Sequence, residues 1–301
     1  MREFLARLWA RPVGLLWVAP ALWSTNITLG RALSTSFPPM SLSVLRWTVA
    51  LAALLPFVAG RAWRQRALLR RHWLLIAACG ATGIAGYGAI AYVALATTSA
   101  ATVAFINSAL PLMVPLGLFV FAGERVRPRT LAGTVVSFAG VAWIVARGDP
   151  ASLGALRFAR GETMTLVAVA LYAVYSALVR FKPPALDLLV FVAGTIAAGI
   201  VVLLPFWAIE LAGGAAVPTD AWSIAAVVYI GLFISLLAFL VWNRCIVALG
   251  PTVTGVSYHL VAAFTAIVAY LALGEALASY HLIGISLILA GFFLAALRAR
   301  N

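Results

Sequence analysis

Long apolar runs, separated by short segments rich in arginine, glycine and proline, make up most of this chain. A helix needs about 20 apolar residues to cross a hydrocarbon core. Ten runs approach that length, at 12–32, 40–60, 73–95, 99–122, 129–146, 162–180, 186–208, 222–244, 251–273 and 280–297. Such runs must be helical, because lipid offers no partner for unpaired backbone groups. The pattern predicts an all-α polytopic membrane protein with ten transmembrane helices. Arg2, Arg7 and Arg11 ahead of the first run also fit a secretory signal. Retention of that run is the preferred reading, because Trp23 and Arg31 within it have partners in a second copy of the pattern.

The duplication can be followed residue by residue. Leu54-Leu55-Pro56-Phe57 returns as Leu203-Leu204-Pro205-Phe206 at an offset of 149, which also aligns Trp23 with Tyr172, Arg31 with Arg180 and Trp73 with Trp222. After a two-residue insertion the offset is 151, and it aligns Gly123-Glu124 with Gly274-Glu275, Gly133 with Gly284 and Ala139-Gly140 with Ala290-Gly291. Two five-helix repeats are expected, 1–147 and 162–301, joined by a loop at 148–161. Five is odd, so the second copy enters from the opposite face and the repeats are inverted. Inverted repeats usually enclose a central cavity with a substrate site near the bilayer midplane. A transporter is the leading inference; a duplicated scaffold or signalling protein is the plainer alternative.

Composition agrees, with 64% of residues hydrophobic and 10% charged. Arginine and lysine are unevenly placed: sixteen fall on one side of the predicted topology, four on the other, and Arg46 lies within a span. The positive-inside bias then makes both termini cytoplasmic. The same asymmetry accounts for the net charge of +13, so nucleic acid is not an expected partner. The basic clusters at 61–71 and 125–129 can instead meet anionic lipid headgroups. Cys79 lies in the third span and Cys245 at the cytoplasmic end of the eighth, and both lack neighbouring ligands, so neither a disulfide nor a metal or other cofactor is expected.

All eight acids fall in loops or at span ends. Proton exchange through a carboxylate in the membrane is therefore disfavoured. With Arg46 the lone deep cation, phosphate cargo is disfavoured too. Arg46 is roughly 9 Å inside the second span. Its side chain can snorkel outward or bond helix carbonyls, or it can face a cavity and attract a carboxylate or a gate; its repeat partner is Thr195. His259 is roughly 12 Å deep in the ninth span. Its repeat partner is Ser108, and Tyr258 aligns with Asn107, so inverted symmetry gives these four polar residues similar depths. They are read as interhelical bonds or substrate contacts, with a proton relay through His259 as a further option. Trp23 and Tyr172 are also near mid-membrane, with Asn26 and Tyr175 one turn onward. They pack or line a cavity for the apolar part of a cargo. Trp9, Trp63, Trp73, Trp207 and Trp222 fit the interfacial belts. Gly80, Gly83, Gly86 and Gly88 offer a close-packing surface, while Pro111 and Pro115 favour a kink that can act as a hinge. Ala262 and Ala266 stand opposite those prolines, so the copies are expected to bend unequally.

The stretch Thr97-Thr98-Ser99-Ala100-Ala101, through Leu110-Pro111-Leu112 to Gly123-Glu124, Gly133 and Ala139-Gly140-Val141, resembles the EamA-type repeat of the drug/metabolite transporter superfamily. Leu249-Gly250-Pro251, Gly274-Glu275, Gly284 and Ala290-Gly291 repeat it, and Arg46-Trp47 is also similar to the family pattern. Within the superfamily the chain looks most like the YddG-type amino-acid exporters. The resemblance implies export of small metabolites from the bacterial cytoplasm, across the inner membrane, through a central cavity. Ala262 departs from the proline of many second repeats. Glu124 and Glu275 are expected to cap or anchor the helices that follow them. The resulting expectation is a carrier of amino acids, aromatic or apolar ones included, and related metabolites. It works by alternating access as a uniporter, catalyses no reaction and can act as a monomer. A proton-linked drug or metabolite exporter and a lipid flippase are the alternatives. An intramembrane enzyme is less favoured, since His259 has no acid in the membrane to orient it.

Overall fold

A computed structural model describes residues 12–33, 37–95, 100–155, 160–273 and 279–296. Among these residues the structure is helical throughout, with no strand. The long segments are α1 (Val18–Leu33), α2 (Pro39–Arg64), α3 (Trp73–Ala94), α4 (Ala100–Asn107 and Leu110–Ala122) and α5 (Pro128–Val145). They continue as α6 (Arg160–Val179), α7 (Leu188–Ala212), α8 (Ala221–Leu249), α9 (Pro251–Ser257 and Leu260–Leu273) and α10 (Ser279–Ala296). Nine helices among the described residues are long and apolar enough to cross a membrane. The segment outside that set is α1, whose 16 residues span about 24 Å at 1.5 Å per residue.

Local chemistry marks where the helices begin and end. Proline opens α2, α5 and α9 at Pro39, Pro128 and Pro251, where its missing N–H removes no helix bond. Asp187 caps α7 by accepting from the N–H groups of Leu189 and Val190, and Asp220 caps α8 by accepting from Ser223 N–H. Gly123 closes α4 in the left-handed region at φ +65°, a conformation costly for residues with a Cβ. Glu124 does not cap α5, whose N-cap is Arg127 without a side-chain bond; it lies 3.6 Å from Arg180 instead. Glu275 is outside the described residues.

Two irregularities recur about 150 residues apart. Gly80–Gly86 in α3 and Ile230–Leu237 in α8 are wound as π-helix, a form associated with functional sites. Likewise, α4 is interrupted at Ser108–Ala109 and α9 at Tyr258–His259, each by i to i−3 bonds. The expectation of unequal bending does not describe these breaks, because α9 is interrupted without a proline. Leu112 N–H turns to the carbonyl of Ala109, leaving that of Ser108 to accept from His259 Nε2 at 2.9 Å. The two broken helices are thereby joined across the molecule at aligned positions.

Small residues set the helix spacing. A Cβ on Gly133 would stand 2.6 Å from the carbonyl oxygen of Gly291, and one on Gly140 would stand 2.6 Å from that of Gly284, so α5 and α10 pack nearly backbone to backbone. Ser137 sits between these points and donates to the carbonyl of Ile288 at 3.0 Å. Gly80 of α3 meets Thr195 and Ala198 of α7, and Gly231 of α8 meets Arg46 and Val49 of α2. Helices α2 and α7 are clasped at both ends. At one end the Glu210 carboxylate accepts from the N–H groups of Met40 and Ser41 at 2.9 and 2.8 Å. At the other Arg61 pairs with Asp187 at 2.9 Å. Trp63, Trp73 and Trp222 are exposed, as interfacial rings should be, whereas Trp207 donates to Ser41 Oγ at 3.0 Å.

Candidate functional site

An internal chamber with about 90 Å³ available to water-molecule centres lies among α1, α2, α3, α4, α6, α8 and α9. One water needs about 10–15 Å³ by this measure, so several waters or part of a small organic molecule fit. Trp23, Asn26, Arg46, Asn107, Tyr172 and Tyr258 all line it. These six were singled out in the sequence. The others lie elsewhere. Ser108 donates to the carbonyl of Phe105 in its own helix, and His259 is turned to the Ser108 carbonyl with its ring 6.3 Å from Phe138. Pro111 sits at the start of the second half of α4, where it faces Gly255, and Pro115 is buried one turn on.

Aromatic rings form most of the wall. Trp23 is 5.7 Å from Tyr258 and 6.2 Å from Tyr172 between ring centres, and its indole N–H donates to the carbonyl of Ile234 in the π-helical part of α8. Tyr87 lies 4.6 Å from Tyr172, and its hydroxyl shares a 3.2 Å hydrogen bond with that of Tyr258. Sequence reasoning missed Tyr87, Tyr92, Trp47 and Phe239 on this wall. Tyr87 and Tyr92 flank Gly88 on α3, and an apolar helix carrying tyrosines beside glycines was the available signal.

Arg46 is 6% exposed, so its side chain runs into the protein and not out to the interface. Its guanidinium carbon lies 5.0 Å from the ring centres of both Trp47 and Tyr92, a cation–π arrangement. The missing side chain of Gly88 makes room: a Cβ there would fall 2.6 Å from Nη2. Among the described residues no carboxylate lines the chamber. Among the same residues Arg46 Nε, Trp47 Nε1, Asn26 Oδ1, Asn107 Oδ1 and the hydroxyls of Tyr92 and Tyr172 are buried without partners. An unsatisfied buried polar group costs about 1–3 kcal/mol, and here six of them lie around one cavity.

A second, wider space of about 800 Å³ opens at the end bearing Arg61 and Arg180. Among the described residues Arg125, Arg127, Arg129, Arg180 and Lys182 line it with a single acid, Glu124. Lys182 donates to the carbonyls of Pro183 and Leu186, and burial lowers its ammonium pKa, with Asp187 opposing the shift. The two spaces are separated by a layer about two helical turns thick. Tyr172 of α6 and Phe239 of α8 line the chamber, whereas Val179 and Ile246 on the same helices line the vestibule. Between them Tyr175 donates to Asn243 Oδ1 at 2.7 Å, with Trp242 fully buried beside them. Tyr175 therefore belongs to this layer and not to the chamber wall. Asn243, buried within an apolar run, was the overlooked polar residue.

Long apolar helices enclosing a polar-edged chamber define a multi-pass membrane protein built to accommodate a small molecule. The model of the EamA-like transporter family matches residues 11–146 and 159–297, and the chain belongs to that family, within the drug/metabolite transporter superfamily. It is 28% identical over 285 residues to a probable terminal-alkyne amino-acid exporter of Streptantibioticus cattleyicolor, covering 95% of this chain and 93% of that one. An uncharacterized transporter of Archaeoglobus fulgidus is also 28% identical over 285 residues, covering 93% of this chain and 95% of that one. A protein of known crystal structure shares the fold at 22% identity, with a TM-score of 0.76 over 97% of this chain and 98% of that one. The family is one of transporters, and both relatives are named as transporters or exporters.

Proposed function

We propose that this protein exports amino acids, including aromatic or apolar ones, and related small metabolites across the bacterial inner membrane. The observation that carries the reading is the Arg46 guanidinium, buried on an aromatic chamber wall with no carboxylate beside it. An α-amino acid supplies the missing anion, an ammonium for the amide oxygens of Asn26 and Asn107, and a side chain for the rings of Trp23, Tyr172 and Phe239. The relative described as an exporter of terminal-alkyne amino acids supports a cargo with an apolar, electron-rich side chain.

The mechanism we infer is alternating access between two inverted repeats, 1–147 and 162–301, linked by 148–161, with both termini cytoplasmic. Reciprocal contacts support a two-fold relation. Gly133 meets Gly291 and Gly140 meets Gly284, the exchange expected when each pair of aligned residues swaps partners across an axis. Ser137 and His259 bond at an offset of 151 to Ile288 and Ser108, their own aligned positions. The basic vestibule faces the cytoplasm in this topology, and the Tyr175–Asn243 bond is the inner gate that must part for cargo to enter. His259 and its Ser108 carbonyl act as a joint between the halves. A carbonyl only accepts, so Nε2 carries the proton, and Nδ1 has no partner to relay to.

Counterflow of labelled phenylalanine in proteoliposomes tests both parts. Uniport predicts exchange that is independent of a pH gradient and persists in His259→Gln. Exchange that requires the gradient and disappears in His259→Gln would establish the proton-linked alternative. Failure of a panel of amino acids to exchange at all would remove the cargo assignment.

A further inference from the structure

We propose that the chamber selects its cargo by the carboxylate and not by the amine, so that small aromatic or unsaturated carboxylic acids lacking an amino group are also carried, whereas amines lacking a carboxylate are refused. The inference rests on the transport reading above and names what that same site requires. The polar groups on the chamber wall are unequal. Arg46 carries a full charge and is held by the faces of Trp47 and Tyr92, and its Nε is a buried donor without an acceptor. A buried cation is costly until an anion meets it. The groups available to an ammonium are neutral: the amide oxygens of Asn26 and Asn107 and the tyrosine hydroxyls.

Four of the described acids are engaged elsewhere. Asp187 pairs with Arg61, Glu124 faces Arg180, Glu210 binds the start of α2, and Asp220 caps α8. A cationic amine entering the chamber meets Arg46 with no carboxylate on the wall to offset the repulsion. A deaminated acid keeps the charge-assisted contact with Arg46 and the ring contacts, and leaves only the asparagine oxygens to water. The vestibule carries the same bias, with five cations against one acid along its wall.

The test is tryptophan-fluorescence titration of the purified full-length protein with phenylalanine, 3-phenylpropanoate, phenethylamine and phenylalaninamide, excited where these probes do not absorb. Losing the amine removes contacts to neutral acceptors only. 3-Phenylpropanoate is therefore expected to compete with phenylalanine and to bind within about tenfold of it, because the cost of taking an ammonium out of water disappears together with its contacts to neutral acceptors. Phenethylamine and phenylalaninamide are expected to bind at least about a hundredfold more weakly than phenylalanine. Arg46→Gln should abolish the preference for the carboxylates, and Arg46→Lys should restore part of it. Phenylalanine binding with no competition from 3-phenylpropanoate, or phenethylamine binding as well as phenylalanine, would overturn carboxylate selection while leaving amino-acid transport intact. Silence from both carboxylates, with another amino acid of the counterflow panel binding, would overturn the inference for aromatic bodies. Silence from every amino acid would overturn the cargo assignment with it.

Discussion

Gly88→Ala offers a way to move the Arg46 charge without removing it. A Cβ at Gly88 would lie 2.6 Å from Arg46 Nη2, whereas ordinary contacts begin near 3.4 Å, so the guanidinium has to retreat by about 0.8 Å. The group that yields is the far end of a flexible side chain, and the helix itself is undisturbed. A charge-assisted N–H···O bond of about 2.8 Å stretched by that amount leaves hydrogen-bonding range. The loss is about 1.5–3 kcal/mol, equivalent to roughly 10- to 150-fold weaker binding of a carboxylate cargo. A double-mutant cycle with Arg46→Gln isolates the cause. Phenylalanine affinity, measured by fluorescence titration, should fall in each single variant, and Gly88→Ala should cost nothing further once Arg46 is replaced. If Gly88→Ala weakens binding equally in both backgrounds, the added methyl acts by narrowing the chamber, and guanidinium placement is not what sets affinity. Unchanged affinity in Gly88→Ala would refute the assignment of Arg46 to the cargo.

Gly140→Leu should lower the thermal midpoint of the detergent-solubilised protein sharply, because its Cβ would stand 2.6 Å from the Gly284 carbonyl oxygen and 2.8 Å from Ile288 N, where only backbone could yield; overpacking of this kind costs about 1–3 kcal/mol or more. Gly60→Ala, whose Cβ would meet only the Arg64 terminus at 3.9 Å, serves as the control and should not lower the midpoint. At Asp220 the Ser223 hydroxyl and backbone N–H hold the carboxyl below its ordinary range. The folded value is below the unfolded one, so this cap stabilises above the ordinary carboxylate range and is lost as pH falls through the depressed value. Melting curves of the native protein and Asp220→Asn should therefore differ at neutral pH and converge in acid, and a gap independent of pH would refute it. Uniport of 3-phenylpropanoate moves one negative charge, so 100 mV imposed across proteoliposomes should drive about a 50-fold accumulation on the positive side. Zwitterionic phenylalanine should be indifferent, and indifference of the anion would mean that a compensating ion travels with it.

Helix positions were legible in the sequence because lipid imposes a single rule, that every backbone group be paired within the span. Residues 188–212 and 221–249 fall where uninterrupted apolar runs placed them. The breaks in α4 and α9 were harder. Pro111 suggests a bend in α4, but at Tyr258–His259 no backbone-restricting residue announces the turn, and it is recognisable only once His259 is seen bonded to the carbonyl of Ser108. Depth along a span was enough to collect Trp23, Asn26, Arg46, Asn107, Tyr172 and Tyr258 around one chamber. Depth alone does not give the direction of a side chain. Ser108 and His259 share that depth and turn away from the chamber, while Tyr175, one turn beyond Tyr172, enters the layer below it. Tyr87 and Tyr92 escaped notice because the glycines around them read as packing, and Gly88 is in fact what gives Arg46 its room.

The proposed two-fold relation makes the lone cation more informative than a symmetric pair would be. A Cβ on Gly80 would stand 2.8 Å from the carbonyl oxygen of Thr195 and one on Gly231 would stand 2.9 Å from that of Arg46, so the two helix crossings are built alike. Their side chains are not alike: Thr195 is short and fully buried with its hydroxyl unpartnered, and Arg46 reaches the chamber. By the proposed two-fold relation a second arginine at the Thr195 position would aim a second like charge at one small cavity, and a monocarboxylate could neutralise only one of them. With a single guanidinium, a single carboxylate balances the site, and the bound chamber has no net charge from that pair. On the proposed reading, duplication supplies the scaffold twice, while the unequal Arg46 and Thr195 limit the chamber to one anionic group, which makes a dianionic phosphate ester a poor cargo for it.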